Sequence, residues 1–405
     1  MFPRIAKWTD VQKILNERIS PLSRVEKIPI FEALHRISIV EIESELSLPQ
    51  FNRSLVDGFA ISNRTSEKEL KWKIIGETKI GFQSEFKKLK EKESVYVPTG
   101  GIIPHNCHSV VKIEDSLLFH ENNNKFITIL KLPNKNTHIE LSGSDITVGQ
   151  TLIEKNTFIT PQIISLLSSV GINEITVNTK PRITVIVTGH EIIPPGEKLE
   201  LGQVYDSTSA LLISLIKTYG GLISNFHRTG ESKEEIIEKI ISSLNTSDLI
   251  VTTGGTSVGK ADNVAKAVED LGEVIFHGIN IRPGKPVLFG KIKDIPLIGF
   301  PGFVTSTAVI ANLFFPIIFQ KLFNIKKINP KVLKVKNAKY LKAFTDWHRI
   351  IPGYLSDGVF YSTFKTSSAI SSYADSEGYI ILDPEDSDLP EGKDVIFIYY
   401  INWLK

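Results

Sequence analysis

The chain is poor in the features that would announce a simple role. It has one cysteine, Cys107, in 405 residues. That excludes an internal disulfide framework and a cysteine-based metal cluster, and it fits a reducing compartment. A lone cysteine of this kind reads as a small, partly buried hydrophobe rather than a nucleophile. Charge of one sign is also missing: 47 basic residues face 45 acidic ones, a net charge of +2. Such a balance offers no global field for nucleic acid or a membrane surface. No apolar run approaches the length of about 18 that a membrane span requires. The opening residues lack a secretory hydrophobic region, so a cytoplasmic location is expected. The phosphate-binding Walker signature is absent, and so is the Gly-x-Gly-x-x-Gly dinucleotide spacing, which argues against a kinase or a nicotinamide dehydrogenase. His190 and His277 cannot be assigned to a Ser-His-Asp set.

What is present centres on Asp248-Leu-Ile-Val-Thr-Thr-Gly-Gly-Thr-Ser-Val-Gly-Lys-Ala-Asp262. Leu249–Val251 reads as a buried strand. Gly254, Gly255 and Gly259 allow close approach to backbone. Asp262 is a good helix-starting residue, and Val264, Ala265, Val268 and Leu271 follow at helical spacing. Strand, glycine loop and helix start together suit an anion, with Ser257 adding a hydroxyl and Asp262 a carboxylate for Mg²⁺. A plain strand–turn–helix corner reads the same letters.

Around this stretch the chain divides into four expected domains. Residues 1–48 and 140–178 form a mixed N-terminal linker domain. This includes a helix over 9–20 capped by Thr9, a short helix over 28–34 and a strand over 36–43. Residues 49–139 read as a small β domain, from short alternating runs punctuated by Gly, Pro and Asn. Within it, Leu48–Ala60 is a packed turn-rich loop carrying Asn52, Arg53, Ser54 and Asp57. Residues 179–326 alternate strands with amphipathic helices, the signature of a parallel sheet covered on both faces. Residues 327–405 read as a C-terminal β domain.

In a parallel sheet, ligands bind outside the carboxyl ends of the strands. Four polar loops follow strands here: 188–191, 253–259, 282–285 and 301–306. They should converge on one rim. Arg282 and Lys285 bring fixed positive charge to it, the glycine loop brings N–H donors, and Glu191, Asp262 and Asp57 bring carboxylates. That set suits a phosphorylated ligand carrying Mg²⁺, with chemistry run by positioning and charge neutralisation.

With these motifs assembled, the sequence resembles the molybdopterin molybdenumtransferase family, the molybdenum insertases related to the E domain of gephyrin. The likeness spans nearly the whole chain. It runs through Ser54-Leu-Val-Asp-Gly-Phe-Ala60, Pro98-Thr-Gly100, Gly143-Ser-Asp-Ile146, Thr188-Gly-His-Glu191 and Gly202-Gln-Val-Tyr-Asp-Ser207. It continues through Gly254-Gly-Thr-Ser-Val-Gly259 with Asp262, Arg282-Pro-Gly-Lys-Pro286 and Pro301-Gly302.

The resemblance implies an elongated homodimer whose cleft is shared between subunits. It also implies a reaction in which adenylylated molybdopterin and molybdate, or tungstate, enter and AMP leaves with Mg²⁺ help. Carried over by position, Asp57 acts from the β domain, and Glu191 and Asp262 bind Mg²⁺ or place the pyrophosphate. Ser257 and the glycines hold phosphate, while Arg282 and Lys285 neutralise it. Ser54, Thr99, Pro301 and Gly302 complete the ligand-binding set. Neither nucleic acid nor membrane is an expected partner.

Three positions depart from the family pattern. His190 stands for Asp, Phe303 for the Asn of a Pro-Gly-Asn-Pro turn, and Thr208 for a common Asn. They leave open an alternative: a catalytically impaired paralogue that binds molybdopterin or acts as a scaffold.

Overall fold

The computed structural model describes residues 5–62, 70–82, 85–86, 88–255, 262–325, 330–385 and 388–400. Two compact units emerge: residues 1–40, 156–161 and 174–405 in the first, and 41–155 with 162–173 in the second.

The first unit is built on a six-stranded sheet. Its elements are β1 (Arg182–Thr188), α1 (Ser207–Thr218), β2 (Leu222–Thr229), α2 (Lys233–Ser243), β3 (Leu249–Thr253), α3 (Asn263–Leu271) and β4 (Glu273–His277). They continue with β5 (Ile281–Arg282), β6 (Leu288–Ile292), β7 (Ile295–Phe300) and α4 (Val304–Phe323). The sheet order is β2-β1-β3-β7-β6-β4. Strands β2, β1, β3 and β7 are parallel, whereas β6 is antiparallel to both its neighbours. The expected parallel sheet is therefore interrupted by one reversed strand. The cause is local: Lys293-Asp294 turns the chain straight from β6 into β7, and a connection that short permits only an antiparallel pair.

Each face of the sheet is covered. Val185, Val251, Ile298 and Phe300 pack with α1 and α4, through Leu212, Ile216, Phe315 and Phe319. On the other face Ile186, Ile250 and Leu297 meet Ile236 and Ile240 of α2 and Val264 and Val268 of α3. Strands β1 and β3 are apolar on consecutive residues because both faces are dry.

Helix α4 corrects the reading of apolar runs. Its 20 residues are long and apolar enough to cross a membrane by length and composition. Its most apolar stretch is 83% buried inside the protein. It is the core helix of this unit, wrapped by the sheet, α1 and the N-terminal helix Trp8–Arg18.

The N-terminal segment differs in detail from its sequence reading. The first helix begins at Trp8 with Lys7, not Thr9, at the cap. Val25–Pro29 is a strand, paired antiparallel with Glu174–Asn178, and only a 3₁₀ turn, Ile30–Glu32, stands where a helix over 28–34 was expected. The cross-strand partner, invisible to local periodicity, decides the outcome. The expected 36–43 strand is reduced to Ile42–Glu43 and isolated bridges at Ile37 and Ser38.

The C-terminal segment forms a second sheet: β8 (Val332–Asn337), β9 (His348–Ser356), β10 (Val359–Ser362), β11 (Gly378–Leu382) and β12 (Asp394–Tyr399). Its order is β5-β9-β10-β8-β12-β11, and β11 pairs back to β9, closing a small barrel. Val335, Ile351, Phe360, Ile380 and Phe397 fill it. Strand β5 leaves the central fold to pair in parallel with β9, setting Arg282 opposite Arg349.

The second unit is a six-stranded sheet. Its strand Gly58–Ser62, next to the edge, is buried throughout, between Cys107–Lys112 and Glu93–Val97. Ala60, Val95 and Val110 pack on one side; Phe59, Ile61, Trp72 and Val111 pack on the other.

Candidate active site

The carboxyl ends of the parallel strands open onto a cavity of about 610 Å³, within the range of small-molecule sites. All four loops picked out by the sequence reach it. Glu191 comes from the loop after β1, Gly254 and Gly255 from that after β3, Lys285 from that after β5, and Pro301 and Gly302 from that after β7.

The glycines are there for backbone reasons. Gly254 has φ +83°, and a Cβ on it would lie 2.7 Å from the Thr188 carbonyl oxygen. Gly189 has φ +130°, and its missing side chain leaves the space where the Glu191 carboxylate folds back, 2.6 Å from an added Cβ. The loops also brace one another. The Thr208 hydroxyl donates to the Gly302 carbonyl at 3.1 Å, so the residue standing for Asn still fastens the rim.

The cationic wall comes from two sheets. Arg282 and Arg349 lie side by side in the β5–β9 register. Arg282 sits 4.5 Å from the Trp347 ring centre and 5.7 Å from that of Phe344. Lys285 Nζ is 4.9 Å from Trp347, and the Arg349 guanidinium is 4.9 Å from Phe344. The two rings hold three like charges apart and in place, which long flexible side chains could not do alone. Arg349 also donates to the Lys342 carbonyl. Half-burial pulls its guanidinium below the usual arginine range, with Asp388 opposing the effect, but the group stays charged at neutral pH.

Helix α4 starts at Val304 after the cap residue Phe303, which gives no side-chain acceptor to the first helical turn. The positive end of a 20-residue helix therefore adds to the same wall, and Ser306 of its first turn lines the cavity. Phe303 stands at the rim, 62% exposed, and does not fill the space.

Asp262 stands at the helix start, as the sequence placed it, but away from the cavity. It caps α3, accepting the Ala265 N–H at 3.3 Å, and its other oxygen lies 3.3 Å from His277 Nε2. It is only 9% exposed and is not among the cavity-lining residues. Burial raises its carboxyl above the ordinary range, with His277 and the Ala265 N–H pulling the other way. A helix-starting aspartate was legible, but a helix cap and a metal ligand make the same letter, and here the cap is what the geometry displays. Among the described residues no group of three or more His, Cys, Asp or Glu side chains is set to hold a metal. Among the described residues, Glu191 is the one acidic residue lining the cavity.

Asp57, Ser54 and Thr99 belong to the second unit. The exposed Asp57 carboxylate accepts both the Thr99 N–H, at 2.7 Å, and its hydroxyl, at 3.1 Å. Thr99 thus holds Asp57 in place. Ser54 is 1% exposed and its hydroxyl donates to the Val56 carbonyl at 2.6 Å, so it shapes the turn. Ser257 and Gly259 lie outside the described residues. His190 is exposed, packs over Gly230 and does not line the cavity. Arg349, Phe344 and Trp347 were missed by sequence reasoning. Only the β5–β9 pairing brings them in, and no local motif marks that pairing.

Comparison with known proteins decides the family. Residues 6–171 match "MoeA N-terminal region (domain I and II)", 184–320 match "Probable molybdopterin binding domain", and 334–400 match "MoeA C-terminal region (domain IV)". A putative molybdopterin biosynthesis protein of Methanocaldococcus jannaschii is 30% identical, over 96% of this chain and 95% of its own. The chain belongs to the molybdopterin molybdenumtransferase family of molybdenum cofactor biosynthesis. The molybdopterin molybdenumtransferase of Haemophilus influenzae is 28% identical over 92% of this chain and 93% of its own. The crystal structure of the molybdopterin biosynthesis MoeA protein of Pyrococcus horikoshii superposes with a TM-score of 0.83 at 31% identity, covering 99% of this chain and all of that one. The family's multidomain architecture, with its α/β sheet and small β domains, is the one described above.

Proposed function

We propose that the chain inserts molybdenum from molybdate, or tungsten from tungstate, into adenylylated molybdopterin, in a Mg²⁺-dependent reaction that releases AMP. One observation carries this reading: Arg282, Lys285 and Arg349, a glycine backbone and a helix N-terminus line a single cavity with Glu191. Such a wall stabilises a phosphoanhydride and a tetrahedral oxyanion together, and strengthens as charge builds on the departing phosphate. Arg282 and Arg349 offer forked donors to oxyanions, and Lys285 a point charge.

The residues present fit a magnesium ion held largely by substrate phosphates, with Glu191 its one protein carboxylate, since Mg²⁺ usually keeps waters and takes one or two carboxylates. The ion would neutralise the pyrophosphate; Glu191 would orient it. Asp262 would act on the ion through the geometry of α3. Asp57, positioned by Thr99, would reach the reacting end from a second copy of the chain in a homodimer. In this reading residues 179–326 and 327–405 share the anion wall.

The departures at His190 and Thr208 leave that wall intact, and Phe303 leaves the cavity open, which favours catalysis over a scaffold role. Purified protein given adenylylated molybdopterin, Mg²⁺ and molybdate should release AMP. Lys285→Ala should slow release on the order of a hundredfold, the scale of removing one preorganised charge-stabilising group. Binding of the adenylylated ligand without turnover would instead support the scaffold alternative.

A further inference from the structure

Phe303 is the cavity's unclaimed ring. Of the aromatic residues lining it, Phe344 has Arg282 and Arg349 over its ring, and Phe364 packs against the C-terminal barrel core. Trp347, beside them, carries Arg282 and Lys285. Those surfaces are spent on holding cations or filling a core. Phe303 is 62% exposed, whereas most phenylalanines of α4, which it caps, are fully buried. Its backbone is fixed: φ −74° and ψ 124° at the cap, with the Phe303 carbonyl accepting the Thr307 N–H at 3.0 Å. Gly302 before it is held by Thr208 and lies against Gly254, whose Cα would be 3.8 Å from a Cβ on Gly302. The ring therefore stands on a rigid base at the edge of an anion site. A large apolar ring left in water at such a place gains most when a flat ligand covers it.

We propose that Phe303 is a specificity-determining residue that stacks on the planar heterocycle of a phosphate-bearing ligand whose phosphate lies against Arg282 and Lys285. The proposal rests on the functional reading above and deepens it. The chemistry recognised is a fused, flat heteroaromatic ring joined to an oxyanion. A pterin and an adenine both satisfy it, and the contact is geometric, a face-to-face cover with no hydrogen bond from the ring. Base–aromatic stacking of this sort tolerates any flat heterocycle, so discrimination should lie between ligands with and without the ring.

The experiment is a calorimetric titration at low salt. Wild type, Phe303→Ala, Phe303→Leu and Phe303→Trp are each titrated with AMP, pterin-6-carboxylate, ribose 5-phosphate and inorganic phosphate. Melting curves should show all four proteins folded, since the ring is exposed. The expected result is a loss of about tenfold in affinity for the ring-bearing ligands in Phe303→Ala. Phe303→Trp should bind them at least as well as wild type, and Phe303→Leu should fall between. Ribose 5-phosphate and phosphate should bind all four alike. A loss with AMP alone would assign the ring to the adenine, and a loss with the pterin alone would assign it to the pterin. Equal losses for AMP and ribose 5-phosphate, or no loss for either ring, would overturn the stacking role while leaving the anion site standing. A wild-type protein that binds no oxyanion at all would bring down both.

Discussion

At the scale of single residues, groups that line the cavity are distinct from groups that hold the backbone. Glu191, Arg282 and Lys285 were expected at the cavity and line it. Ser54 and Asp262 were expected there too, and both are committed to local structure. Asp262 has consequences for stability. An exposed loop carboxylate would contribute little to folding, but this one is buried and caps α3. Asp262→Ala should cost about 1–2 kcal/mol, the usual range for a lost N-cap, read as a lower urea midpoint. Asp262→Asn keeps an acceptor oxygen and should cost less. The sign of the pH effect follows from the raised carboxyl pKa: its stabilising contribution is present below the unfolded value and lost as pH rises through the folded one. The Asn variant should therefore gain on wild type as pH rises from acid toward neutral. Cys107 answers to the same logic of burial, which pushes its thiol up to about 12 and leaves it a poor nucleophile.

Among the elements, β3 and β5 position the site, and they differ in how much their sequences disclose. Strand β3 is a short β-branched run with a glycine loop behind it, and the α/β alternation around it was legible almost residue for residue. Strand β5 is two residues long and pairs with a strand far away in sequence. Pairings of that kind have no local signature, which is why Arg349 and its aromatic supports stayed hidden while Arg282 did not. The reversed strand β6 escaped for a similar reason, since period and composition do not encode direction. Asp248, just ahead of β3, ties this element down. Its side chain is 6% exposed, accepts from both nitrogens of Arg24 at 2.8 and 2.5 Å, and takes the Arg182 N–H at 2.7 Å. Burial alone would raise its carboxyl; the Arg24 fork and the Arg182 contacts more than offset that and hold it below the ordinary range. A depressed carboxyl contributes stability above its unfolded value, near about 4, and loses it as pH falls through the folded value. Melting curves of wild type should thus decline below about pH 4, and Asp248→Asn should remove part of that decline while lowering stability at pH 7 by about 1–3 kcal/mol.

Across the whole molecule, the first unit brings two sheets to one wall of charge. The central sheet offers the loops and helix terminus common to its fold class, and the C-terminal barrel supplies Arg349 and the rings that fix the neighbouring cations. Without the barrel, the cavity would lose Arg349 and the two rings beside the cations. The second unit carries Asp57 on a loop where Thr99 donates twice to its exposed carboxylate.

The claim that the barrel completes the anion site is tested most directly by the affinity for molybdate of wild type and Arg349→Ala, titrated side by side at low salt. The account expects the variant to bind at least tenfold more weakly, as loss of a charge-assisted contact worth about 1.5–3 kcal/mol requires. A folded variant with wild-type affinity for molybdate would contradict it.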